Sequence, residues 1–333
     1  MKFGIFDHLD RNNPSPRDYY EARLRIIEAY DKLGFYSYHV AEHHSTPIGM
    51  APSPSVFLSA IAQRTTRLRF GPMIYILPLY HPLRLIEEIC MLDQMSGGRL
   101  DVGLGRGSSP VEMSFYGSDP ASAQKTYAEN LEVLLMGLTE KTLDFHGEHY
   151  NFDKVPMELE PIQKPHPALW YGVHSPESAD RVARQGFNCI SLDAPADATL
   201  CFDKYREVWQ QENGDAELPL LGIARFVVVA DTDEAAMVIA RRAYLKWHDS
   251  FTRLSVAYNK PATHPRPRDF DTVCEVGQGI AGSPETVAKA LGVQIAQTGA
   301  NYVVGQFAFG DLTQQEILAS AELFASKVMP ALS

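Results

Sequence analysis

The sequence predicts an α/β protein, a TIM-type (β/α)8 barrel with insertions, and three observations carry that prediction. Eight apolar, strand-like runs alternate with stretches of helical period along the whole chain. The links between most of them are short, which implies parallel strands joined by right-handed crossovers, and eight such units close naturally into a barrel. The doubly wound alternative needs a glycine-rich turn after its first strand, whereas Phe6-Asp7-His8-Leu9-Asp10 follows here.

The elements fall in order. Residues 2–6 form the first strand, and Tyr20, Leu24, Ile27 and Tyr30, spaced by three or four, mark the helix after it. The second strand, 36–41, ends in Val40-Ala41-Glu42-His43-His44. The third, 68–77, leads to a helix marked by Leu85, Ile89 and Leu92. The fourth, 100–105, runs into Gly103-Leu104-Gly105-Arg106-Gly107, which lacks the GxGxxG spacing of a dinucleotide fingerprint. Residues 139–166 combine Gly, Pro and alternating apolar residues, the pattern of a loop with a small hairpin. Strands at 168–173, 187–192 and 220–229 follow. Residues 255–282 hold Pro261, Pro265 and Pro267 with Gly277, Gly279 and Gly282 and show no period; a loop this long in a compact domain is expected to be a mobile active-site segment. The strand at 301–307 and a helix through Ile317, Ala321, Phe324 and Val328 complete the count. Pro82, Pro176 and Pro284 each sit just inside a helix start, where a missing N–H costs nothing. No compositional shift divides the chain, so residues 1–333 are read as one barrel domain.

Composition narrows the class of function. With 45% hydrophobic and 21% charged residues the 333-residue chain is ordinary globular protein, and a formal charge of -11 argues against a nucleic-acid partner. No secretory signal and no run of membrane-spanning length is visible. Cys90, Cys189, Cys201 and Cys274 lie far apart with no CxxC pair, which points to reduced thiols in a cytoplasmic protein.

Projected onto one barrel face, the strand ends gather Asp7 and His8, Glu42 with His43 and His44, Arg106, and the helix start Ser175-Pro176-Glu177-Ser178. The C-terminal face of such a barrel is where chemistry collects. Two histidines that only satisfy loop backbone are an equal alternative on spacing alone. A metal centre is disfavoured, because neighbouring residues on a strand point to opposite faces and no third ligand is spaced for it. Arg106, between two glycines, suits a guanidinium reaching a phosphate, with an ion pair to Glu112 as the plain alternative. The Ser175 start offers free N–H groups to an anion, with simple capping as its plain alternative.

Glu42-His43-His44, Leu77-Pro78-Leu79-Tyr80-His81-Pro82, Leu92-Asp93-Gln94-Met95-Ser96-Gly97-Gly98-Arg99, Gly105-Arg106-Gly107, Glu177-Ser178-Ala179, Gly282-Ser283-Pro284-Glu285 and Val328-Met329-Pro330 resemble, in order and spacing, the bacterial luciferase-like flavin-dependent monooxygenase family. The resemblance covers nearly the whole chain and is strongest toward the catalytic subunits of bacterial luciferases. It implies an enzyme that takes reduced FMN from a flavin reductase and uses O2 to oxygenate a small organic substrate through a peroxyflavin. It implies His43 as catalytic base with His44 and Glu42 beside it. It also implies Arg106, Glu177 (through its backbone N–H) and Ser178 on the FMN phosphate, and Gly105, Met73 and Ile74 beside the flavin, with a cis Met73–Ile74 peptide. Two departures stand out: Gly105 replaces a cysteine, and Arg181 replaces a threonine. Relatives that use the deazaflavin F420 for hydride transfer, and non-catalytic flavin-binding subunits, are the alternatives. A symmetric homodimer is also implied, and the apolar residues Val56-Phe57-Leu58 and Leu85-Ile86-Ile89 are its candidate faces.

Overall fold

The apolar runs become parallel strands because each is buried on both sides, between the barrel interior and an outer layer of helices. In the computed structural model, which describes residues 1–12 and 15–332, the strands are β1 (Lys2–Asp7), β2 (Ser37–Val40), β3 (Arg69–Pro72), β4 (Tyr75–Ile76), β5 (Asp101–Gly105), β6 (Thr142–His146), β7 (Asn151–Pro156), β8 (Ala168–Gly172), β9 (Asn188–Ser191), β10 (Leu221–Val229), β11 (Gly279–Gly282) and β12 (Tyr302–Gln306). Their hydrogen-bonded order is β3-β2-β1-β12-β10-β9-β8-β5-β4. A parallel bridge between Phe70 and Leu100 brings the two ends of that path together. Counting β3 and β4 as one interrupted strand, eight parallel strands form the barrel, which is the predicted TIM-type fold.

Phe6, Ala41, Met73, Trp170, Ile190, Ala224, Tyr302 and Val304, from seven strands or their ends, pack together inside the ring. A larger apolar shell joins the outer strand faces to the helices. Helices begin at Pro82, Pro176 and Pro284 as the sequence indicates. The expected hairpin in 139–166 is the antiparallel pair β6 and β7. The four cysteines are free thiols, three of them buried. Among the described residues, no helix is long and apolar enough to cross a membrane.

Three expectations need correction. The third strand is not continuous over 68–77: it breaks between β3 and β4, and the Met73–Ile74 peptide in the gap is cis, at the position the family pattern implied. Segment 255–282 is not all loop. It begins within the helical turn Arg253–Ala257, and holds another at Phe270–Glu275 and the strand β11, which pairs in parallel with β10. Elements of four to six residues are too short to display a period, which is why the sequence showed none. Finally, Phe57, Leu58, Leu85, Ile86 and Ile89 are buried in the monomer core, and of the two proposed dimer faces only Val56 is open, at 71% exposure. An apolar stripe that packs a helix on its own barrel has the same sequence pattern as one that binds a partner.

Candidate active site

The C-terminal end of β2 sets the site. Where the strand stops, its chain turns across the barrel mouth and sends two adjacent imidazoles to different partners. His43 places Nδ1 at 3.1 and 3.3 Å from the two carboxylate oxygens of Glu112. Among the described residues nothing hydrogen-bonds its Nε2. His44 is held on both ring nitrogens, by Glu42 at 2.8 Å and by the Tyr116 hydroxyl at 2.8 Å. Its backbone N–H donates to Glu112 at 2.7 Å, so one carboxylate fixes the loop and orients the His43 ring.

Glu42 is buried and fully occupied: besides His44 it accepts from the Ile76 amide at 3.1 Å and the Tyr80 hydroxyl at 3.0 Å. Burial pushes its carboxyl above the usual range, against the pull of those hydrogen bonds. Glu42 therefore ties the end of β2 to β4 and fixes His44. Of the three residues in the motif, only His43 has a ring nitrogen left for a reacting group.

Burial by itself would lower the His43 imidazole, but the Glu112 carboxylate outweighs it and the net shift is upward. The same pair holds Glu112 below the carboxylate range despite its burial. A histidine raised in this way keeps its proton to higher pH, so the ion pair is fully present below the ordinary value of 6.5 and is lost as pH rises through the raised one. Glu112→Gln is thus expected to move the His43 titration down in pH, because burial remains and the attraction is gone. NMR of the ring reads this directly; an unmoved midpoint would detach Glu112 from the protonation of His43.

A row of rings leads away from this imidazole. His8, just past β1, stacks on His43 with centroids 5.7 Å apart, and Trp247 lies 5.5 Å from His8. Burial drives the His8 imidazole well below its ordinary value, with His43 and Arg266 adding to the effect, so it stays neutral beside His43. Asp7, grouped with these residues by sequence, is withdrawn from them. It is fully buried, 3.4 Å from Arg23, and accepts from the Tyr38 hydroxyl and the Leu9 amide, each at 2.8 Å.

On the neighbouring strands the mouth changes character. Arg106 follows β5, and the helix Pro176–Arg184 follows β8, the strand paired with β5. Arg106 is exposed and has no hydrogen bond or ion pair among the described residues. Its suggested partner Glu112 is committed to His43 instead. At the helix start, Ser175 and Ser178 form a complete capping box: the Ser178 amide donates to Ser175 Oγ, and Ser178 Oγ accepts from the Ser175 amide at 3.1 Å. Both Ser178 groups are thereby used, leaving the Glu177 end of the turn to meet an anion. Arg181 lies over the Tyr171 ring at 5.8 Å.

An uncompensated guanidinium next to a helix N-terminus fits a phosphate. Gly105 is buried with no side chain, and a Cβ there would come within 2.3 Å of the Ile74 Cδ1, so Gly105 and Ile74 are matched small to large.

Residues 263 and 264 of segment 255–282 pack onto this face. The Thr263 hydroxyl donates to the Ser108 carbonyl at 2.6 Å, and the His264 ring stacks on His174 at 4.1 Å, next to the capping box. His174 in turn sits 2.8 Å from Asp193. Glu112, His174 and His264 were not assigned to the site from sequence. For Glu112 a signal existed, since Ser109 and Pro110 mark a helix start just after the fourth strand; His174 and His264 carry no pattern, and only the fold brings them together.

Comparisons with known proteins bear on the family and the fold. The family model described as luciferase-like monooxygenase matches residues 1–302. The protein y4wF of Sinorhizobium fredii is 39% identical over 99% of this chain and 96% of its own. The oxygenase component of the flavin-dependent trigonelline monooxygenase of Acinetobacter baylyi is 28% identical over 72% of this chain and 68% of its own. Among solved structures, monooxygenase RslO1 from Streptomyces bottropensis superposes with a TM-score of 0.90 at 24% identity, covering all of both chains, which bears on the fold.

Proposed function

The chain belongs to the luciferase-like monooxygenase family, an oxygen-incorporating oxidoreductase family, and from that premise we propose that it is the oxygenating component of a two-component system, using reduced FMN from a flavin reductase to oxygenate a small organic substrate. One observation carries the reading. A raised, carboxylate-oriented His43 and an unpaired Arg106 beside a helix start open onto the same barrel mouth. Support for a flavin comes also from the similarity to a flavin-dependent oxygenase component, and the fold is shared with an F420-dependent secondary alcohol dehydrogenase, so it is compatible with the deazaflavin F420.

Arg106 and the Glu177 N–H would hold the phosphate, while Gly105, Met73 and Ile74 would line the ring. When bound, reduced FMN supplies the electrons that activate O2. The chain's own residues position and protect. His43 holds or moves a proton at Nε2, a task suited to an imidazole whose ring is oriented by a carboxylate. Glu112 fixes the ring through Nδ1, His44 and Glu42 fix the loop, and the 255–282 segment excludes water from the mouth.

The test is a product screen with FMN, a reductase and NAD(P)H under labelled O2. Label in a substrate-derived product supports the reading. Substrate-dependent absorbance change with F420 and no label in product would replace it with hydride transfer.

Arg106→Ala is expected to weaken reduced-FMN binding by about 1.5–3 kcal/mol, roughly 10- to 150-fold, the value of hydrogen bonds to a charged group. An anaerobic titration measures it, and an unchanged dissociation constant would remove Arg106 from the phosphate site. A symmetric homodimer is part of the same reading. Its apolar contacts would come from Val56, Met91 and Met95, which are exposed, in place of the buried residues corrected above. Sedimentation at micromolar concentration should give twice the chain mass; a monomer mass would exclude it.

A further inference from the structure

Thr263, His264 and Arg266 are each fastened to a different strand end. The Thr263 hydroxyl bonds the carbonyl of Ser108, on the Arg106 loop after β5. The His264 ring lies face to face with His174, just past β8, with centroids 4.1 Å apart and planes 19° from parallel. Arg266 donates from Nη1 to the Leu192 carbonyl, just past β9, at 3.1 Å. β5, β8 and β9 are consecutive in the sheet, so this short stretch crosses three neighbouring strand ends. The local sequence favours such a crossing. Pro261, Pro265 and Pro267 stiffen the chain, and His264, as the residue before a proline, is biased toward extended backbone.

Consecutive residues of the crossing touch the two halves of the proposed phosphate site. Thr263 holds the Arg106 loop. His264 packs on the helix start, because the amide of its stacking partner His174 donates to Ser178 Oγ at 3.3 Å. The His264 ring is half-buried and, among the described residues, makes no hydrogen bond of its own. Arg106 is likewise unpaired.

The charges around His264 point to an anion. Burial holds its imidazole below the ordinary value, and His174, Arg266 and Arg106 push it the same way, while Asp193 opposes them. Asp193 is already engaged by His174 at 2.8 Å. Three side chains able to carry positive charge thus act on His264 against a single acid, and a dianion would complete the arrangement.

We propose that His264 is a further phosphate-binding residue, whose ring N–H donates to the same terminal phosphate as Arg106 and the Glu177 N–H. The assignment rests on reading the mouth as an FMN site. It makes the phosphate a tie between the 263–266 crossing and the strand ends beneath it, and it favours a flavin that ends in a phosphate over one that does not. A phosphate dianion beside a lowered imidazole stabilises the protonated ring, so binding takes up a proton. The advantage of FMN therefore grows as pH falls toward about 6, where a phosphate monoester itself begins to gain a proton.

The test compares reduced FMN with reduced riboflavin, titrated anaerobically into the full chain at about pH 6.5 and about pH 8, on either side of the neutral histidine range. The two flavins share one ring system, so their difference reads the phosphate end. Wild type should prefer FMN, and more strongly at the lower pH. His264→Phe keeps a flat ring against His174 and removes the N–H; it should lose FMN affinity roughly ten-fold, the scale of a charge-assisted hydrogen bond, with riboflavin affinity unchanged. His264→Arg, which restores a charged donor, should regain most of the loss. Hydrogen exchange supplies a second readout: FMN, and not riboflavin, should slow the amides of residues 262–268 in wild type, and neither should in His264→Phe. A His264→Phe variant with the wild-type FMN preference overturns the proposal; if Arg106→Ala loses that preference in the same assay, the FMN reading stands without His264. Equal losses of FMN and riboflavin in His264→Phe also overturn it, since the ring would then serve packing alone. A wild type that binds both flavins equally overturns the proposal and the phosphate site together.

Discussion

Replacing His43 with alanine is expected to leave flavin binding intact and to slow oxygenation by roughly 100-fold or more, the usual scale of lost acid/base catalysis. The expectation follows from the division of labour at the end of β2. His44 and Glu42 have every ring nitrogen and carboxylate oxygen engaged within the protein, so neither can substitute for His43. The proposed phosphate-binding groups, Arg106 and the Glu177 N–H, make no hydrogen bond to the imidazole, which is why binding should survive. Stopped-flow mixing of the reduced complex with O2 and substrate separates binding from chemistry. Normal turnover in the variant would reduce His43 to a packing residue.

The second large effect is on the fold itself. Gly71 lies in β3 where the barrel closes against β5, and a Cβ built there would come within 2.0 Å of the Asp101 carbonyl oxygen and 2.7 Å of its carbon. Backbone cannot swing aside as a side-chain tip can, so the strands must separate. Gly71→Ala is expected to destabilise the protein by about 3 kcal/mol or more, toward the upper end of overpacking penalties. Separation would also disturb the pairing of Arg69 with Asp101, now at 2.7 Å. Chemical denaturation measures the loss; a midpoint equal to wild type would mean that β3 and β5 are not in such close contact.

Much of this architecture was legible beforehand because it is written in local patterns. Alternation of apolar runs with helical periods placed the eight barrel strands within one or two residues at most ends, and proline placed three helix starts. The Glu42-His43-His44 motif and Arg106 stood out because charged residues at strand ends are unusual where packing alone operates. What failed did so for identifiable reasons. The face of Leu85, Ile86 and Ile89 was read as an interface, yet its burial partner is the chain's own barrel, and an apolar stripe carries no label saying which surface it meets.

The sequence by itself determined the fold class and the run of strands along the chain, and it set Glu42, His43 and His44 together at a strand end, since each depends on residues close together in the chain. Only the tertiary structure decided the partners. Glu112 lies 69 residues from His43 and 68 from the His44 amide it also binds. It had been weighed as a mate for Arg106, six positions away in sequence. Likewise Trp247, on the helix after β10, meets His8 just past β1, and His264 meets His174 across 90 positions of sequence. Barrel closure brings the first and last strands side by side, and contacts made through closure cannot be read from spacing.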